Sequence, residues 1–142
     1  MKPIRNGKIV PFFVTFVILL SSTGCIKKKD FNIVGDWRIH ALSSDGTLDK
    51  DFLLTFQGNE WSGDIYEAGV EIGDYLVFTK TVFIRNIAFS FRHFMSEPLG
   101  YLQFSFGCEV NYGDDNMNGS FLSFYTGSPD NRTTGNWTGT RQ

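Results

Sequence analysis

The chain has 142 residues and a formal net charge of −2, which leaves room for one domain. Its 15 Phe and 15 Gly beside 4 Pro suit short strands joined by tight turns, and no window repeats apolar residues at helical spacing, which excludes an all-α fold. Six of the 13 Lys/Arg and one of the 15 Asp/Glu precede Phe31, leaving seven against fourteen beyond it. A domain that acidic lacks the clustered positive charge that phosphate contacts require, so no nucleic-acid partner is expected.

In chain order, residues 1–24 read as a secretory leader. Lys2, Arg5 and Lys8 give a positive start, Ile9 to Leu20 an apolar run, and Ser21-Ser22-Thr23-Gly24 a small-residue segment ahead of Cys25. Twelve residues of helix span about 18 Å, well short of a hydrocarbon core of about 30 Å, which argues against a permanent transmembrane helix. The Thr23-Gly24-Cys25 end resembles the lipobox of bacterial lipoproteins, with Ser22 where that motif usually carries Leu. The resemblance implies cleavage before Cys25 and lipidation of its sulfur, palmitate included, with the membrane as partner through those acyl chains. Two or more chains make such attachment effectively permanent. Residues 25–32 then form a short basic linker in which Lys27–Lys29 suit anionic headgroups. Ile26, rather than Asp, points by analogy with lipoprotein sorting to the outer membrane of the cell envelope. With Cys25 lipidated, Cys108 has no cysteine partner and reads as a small buried residue among Phe104, Phe106 and Val110.

Residues 33–142 read as one antiparallel β domain. Turn signals fall at Ser44-Asp45-Gly46, Gln57-Gly58-Asn59, Glu67-Ala68-Gly69, Glu97-Pro98-Leu99-Gly100, Gly113-Asp114-Asp115-Asn116 and Gly127-Ser128-Pro129-Asp130-Asn131, with a weaker break at Arg85-Asn86. Between them residues alternate with period two. The alternating sets are Trp37, Ile39, Ala41; Phe52, Leu54, Phe56; Trp61, Gly63, Ile65; Leu76, Phe78, Val82; Phe89, Phe91; Phe104 to Val110; Gly119, Phe121, Ser123; and Trp137, Gly139, Arg141. Consecutive strands with short links predict an all-β, eight-stranded antiparallel meander, and closure into a barrel removes its exposed edges. An open β-sandwich is the alternative.

Two ends of this domain carry a family resemblance. Gly35-Asp36-Trp37 is similar to the Gly-x-Trp of lipocalins and related calycin barrels, and Gly135-Asn136-Trp137-Thr138-Gly139-Thr140-Arg141, preceded by Met117-Asn118-Gly119, resembles the ending of small bacterial barrel domains. The resemblance implies a lipocalin-like barrel in which Gly35, Trp37, Trp137 and Arg141 are structural closing residues, Arg141 lying across the Trp37 ring.

Other patterns point to no chemistry. Asp114-x-Asn116-x-Asn118-Gly119 matches the first half of a calcium loop, but its twelfth position is Tyr125 and a hairpin turn explains it. His40 and His93 lack ligand spacing, so no metal is expected. Glu67 and Glu71 read as solvated carboxylates near a turn. Neither a phosphate-loop nor a dinucleotide motif occurs, so no cofactor and no catalytic set are expected. The expectation is a non-catalytic module that contacts an envelope protein, with Tyr66, Tyr75 and Tyr125 as interface candidates. The alternative is a lipocalin-like carrier of a small apolar ligand or lipid in the barrel mouth.

Overall fold

The computed structural model describes residues 31–81, 84–96, 100–111 and 113–142; Cys25 and its flanking leader and linker lie outside them. Eight strands follow in order: β1 (Gly35–Ser43), β2 (Asp49–Gly58), β3 (Ser62–Glu67), β4 (Val70–Thr81), β5 (Ile84–Ser96), β6 (Gly100–Asn111), β7 (Asn116–Tyr125) and β8 (Ser128–Arg141). Each pairs with the next, and β1 pairs antiparallel with β8 from Trp37↔Arg141 to Ser43↔Gly135, closing the barrel. That pairing rules out the open sandwich. The described residues contain no helix.

Closure gives the barrel two ends. The entry end holds residues 31–34, where the described chain enters, Arg141, and the β2–β3, β4–β5 and β6–β7 connections. The far end holds the β1–β2, β3–β4, β5–β6 and β7–β8 connections. Inward positions between them are filled chiefly by aromatic rings. Phe52 meets Phe91 edge-on at 5.0 Å, Phe89 stacks on Phe106 at 4.6 Å, and Phe106 meets Trp137 edge-on at 5.4 Å. Such offset and edge-to-face contacts let large rings pack without voids.

Four sequence expectations shift. Leu76 and Phe78 face solvent, at 55% and 47% exposure, while Tyr75 and Val77 are buried. Both phases of β4 are apolar, so alternation alone leaves the face undecided. Close approach decides it: a Cβ on Gly73 would overlap the Ser90 carbonyl oxygen, and the Tyr75 hydroxyl donates to the Asn59 carbonyl. The third alternating set also loses its first member, since Trp61 is exposed and precedes β3, while Ile65 is buried. Arg85-Asn86 is no break either, because both lie within β5, paired with Val110 and Glu109. Finally, β8 begins at Ser128, so Pro129 stands in a strand, at a register irregularity where Tyr125 pairs with Ser128 and Phe124 with Arg132. A bulge of this kind tolerates the missing N–H.

Candidate functional site

The entry end is shut by side chains. The Arg141 guanidinium lies 4.5 Å from the Trp37 ring centroid. Its Nη1 donates to the Val34 carbonyl at 2.9 Å, Nη2 donates to the Asn32 carbonyl, and Nε reaches Asp115 Oδ1 at 3.1 Å. Trp37 Nε1 donates to the Ile33 carbonyl at 2.7 Å, and Phe31 and Ile33 pack into the core beside it. Gly35 has φ +128°, and a Cβ there would lie 3.0 Å from Arg141 Nη1, which is why glycine precedes the tryptophan by two. Trp137 sits deeper: it pairs with Ala41 and Gly119, and its Nε1 donates to the Gly107 carbonyl at 3.3 Å. Arg85 adds a further plug, 4.7 Å from the Trp61 ring and 3.4 Å from Glu60.

At the far end the inward positions change character. On β2 the alternation that buries Phe56, Leu54 and Phe52 next presents Lys50. On β7 it buries Phe121 and then Ser123, with Tyr125 beyond. On β8 it runs from Trp137 and Gly135 to Thr133. Lys50, Ser123, Tyr125 and Thr133, with Leu48, Met95 and Leu102, line an open cavity of about 500 Å³ above the aromatic layer. Pockets of roughly 300–1,000 Å³ are the usual size for small ligands. The Ser123 hydroxyl is fully buried and has no hydrogen-bond partner among the described residues.

One wall is set by the β1–β2 turn. Asp45 Oδ1 accepts from Ser43 Oγ at 2.7 Å, Thr47 Oγ1 at 2.7 Å and Thr47 N at 3.0 Å, and the Leu48 amide donates to Ser43 Oγ at 2.8 Å. This network of short local bonds carries Leu48 to the cavity edge. It also lowers the Asp45 carboxyl to about 2, the Ser43 hydroxyl being the largest cause and Thr47 the next.

The residues singled out from sequence are scattered. Tyr75, offered as an exposed interface residue, is buried by its place on the inward phase of β4; Tyr66 and Tyr125 are partly buried. Glu67 lies 3.5 Å from His93, which continues the inward phase of β5 beyond Phe91 at the far end and meets Phe52 edge-on at 6.1 Å, while His40 lies 3.2 Å from Asp51 on the outer wall. Cys108 is partly buried against the core, and burial pushes its thiol up to about 12, so it stays protonated and poorly nucleophilic near neutral pH. Among the described residues no group of His, Cys, Asp and Glu is arranged to hold a metal ion. From sequence, Ser123 stood only in an alternating set and Asn131 only in a turn, and neither they nor Lys50 and Thr133 were singled out as site residues. Their signal was present: each continues an inward series yet is polar.

No protein-family model, curated protein or solved structure matches the chain.

Proposed function

We propose that this chain is a lipid-anchored, non-catalytic module of the bacterial cell envelope, and that its barrel acts by contact with an envelope protein. The observation that carries the contact reading is the filled interior: Phe52, Phe89, Phe91, Phe104, Phe106 and Trp137 occupy the middle of the barrel, leaving no deep calyx. The outer wall supplies contact residues. Phe94 and Tyr101 meet edge-on at 5.4 Å while both are largely exposed, and they share a groove with Val70, Glu67, Arg92 and His93. Exposed aromatic pairs beside arginine have the composition of interface anchors. The anchor reading rests on the leader and the Thr23-Gly24-Cys25 motif, with the outer membrane as the address that Ile26 suggests.

One experiment addresses both parts. The full chain is expressed with a photo-crosslinking phenylalanine at Tyr101, with and without Cys25→Ser, and the membrane fraction is analysed. The expected result is a discrete crosslinked protein at Tyr101, none from the same probe at Gln57, and loss of acyl mass and membrane retention in Cys25→Ser. Membrane retention of Cys25→Ser with an intact N-terminus overturns the anchor. Absence of any adduct at Tyr101 overturns the contact reading for this groove.

A second reading has its own observation. The far-end cavity supports binding of a small ligand at the barrel mouth, seated on the aromatic layer rather than inside it.

A further inference from the structure

We infer that the far-end cavity takes a small organic monoanion, an apolar body carrying one carboxylate-type group, with Lys50 as counter-charge and Ser123 as a deep hydrogen-bonding group. This rests on the second reading above and assigns it a ligand class.

The first support is the contrast between the two ends. The entry end is finished with Phe31, Ile33, Trp37 and Met117, all buried, and its two arginines, Arg85 and Arg141, are each covered by a tryptophan ring and placed beside a carboxylate. A far end built only to be shut would continue the same apolar series. Instead the inward positions become Lys50, Ser123 and Thr133, while Leu48, Met95 and Leu102 keep part of the wall apolar. A mixed lining of this kind selects a ligand with both an apolar and a polar part.

The second support is the charge census. Beyond Phe31 the domain has seven Lys/Arg against fourteen Asp/Glu, so a cation whose side chain has neither an ion pair nor a hydrogen bond is unexpected. Arg38 pairs with Asp51 at 3.2 Å, Arg85 with Glu60 at 3.4 Å and Arg141 with Asp115 at 3.1 Å. Arg92 donates to Gln103 at 2.8 Å and Arg132 to the Pro129 carbonyl at 3.4 Å. Lys50 makes no ion pair or side-chain hydrogen bond among the described residues, and it lines a concave site. Asp49 lines the same cavity but lies 3.7 Å from His40 on the outer face. Its charge disfavours a dianion more than a monoanion, because the repulsion scales with the ligand's charge.

The third support is Ser123. A buried hydroxyl normally finds a partner, and this one, paired in register with Phe104 and Thr133, has none among the described residues. A carboxylate or carbonyl oxygen in the cavity would accept a hydrogen bond from it.

The test uses the full chain in detergent and calorimetric titration with 3-phenylpropionate and its neutral amide, against Lys50→Gln, Lys50→Arg and Asn131→Trp. The expected result is saturable 1:1 binding of the acid, with the amide about tenfold weaker, as the loss of a charge-assisted contact implies. Lys50→Gln should bring the acid to the level of the amide, Lys50→Arg should keep the preference, and Asn131→Trp should abolish both by filling the mouth. Equal binding of acid and amide, or a preference that survives Lys50→Gln, overturns the anion assignment while leaving the mouth reading intact. No binding of either probe, or binding indifferent to Asn131→Trp in a variant with unchanged near-ultraviolet circular dichroism, overturns both. Should Asn131→Trp fail to fold, Thr133→Trp serves in its place.

Discussion

Trp37 is held from several directions at once: Arg141 over its face, Phe31 tilted at 6.0 Å, and its own indole N–H on the Ile33 carbonyl. Removing the ring would leave a cavity and strip the guanidinium of its platform. Trp37→Ala should therefore cost about 3–5 kcal/mol, measured by urea unfolding; a loss below about 1 kcal/mol would place little of the closure energy at this residue. Asp45 yields a pH prediction. Its carboxyl is lowered to about 2 from 3.8 by hydroxyl and amide donors. The stabilisation of the turn is therefore fully present above the unfolded value and is lost as pH falls through about 2. The Asp45 carboxyl should titrate near that value by NMR, with the Leu48 amide shifting in step. At this scale the residues of the shut end were readable, because Gly, Trp and Arg at fixed positions leave a pattern. Lys50 and Ser123 were only half readable, since each continues an inward series yet is polar, and alternation does not tell whether such a position meets solvent or a cavity.

Among the elements, the β3–β4 hairpin has a correctable strain. Ala68 and Gly69 both have positive φ, at 49° and 81°, between the paired residues Glu67 and Val70. A two-residue turn of this hand prefers Asn-Gly, because an ordinary side chain is crowded in the left-handed region. Ala68→Asn should stabilise the protein by about 0.5–1 kcal/mol, visible as a rise in the thermal midpoint without change in the circular dichroism spectrum. Strand existence was legible wherever one phase was apolar and the other polar, as in β1, β2 and β8. It failed for the facing of β4, whose Tyr75-Leu76-Val77-Phe78 run is apolar on both phases. Close backbone contact at Gly73, invisible to periodicity, settles which side turns inward. The β4–β5 reversal was misplaced for a related reason. Arg85 looked like a turn residue because it is charged, yet it is buried under Trp61 with Glu60 beside it. Partners supplied by a distant hairpin cannot be read from local composition.

For the whole molecule, the closed meander followed from strand count and short connections, and the pairing of β1 with β8 completes it. Whether the interior is hollow did not follow, since the same Phe residues can line a void or fill it. Their side chains fill it, in contacts as close as 4.6 Å between Phe89 and Phe106. The filled middle separates the two ends, one shut by Trp37 and Arg141 and the other open above the aromatic layer. That separation gives meaning to where the chain comes in. Phe31 packs at the shut end, beside Trp37 and Arg141. If Cys25 carries the proposed acyl chains, Ile26 to Asp30 would reach no more than about 18 Å, which would keep the shut end within that distance of the bilayer. The rim bearing Lys50, at the opposite end of the barrel, would then be the end more open to ligands arriving from solution.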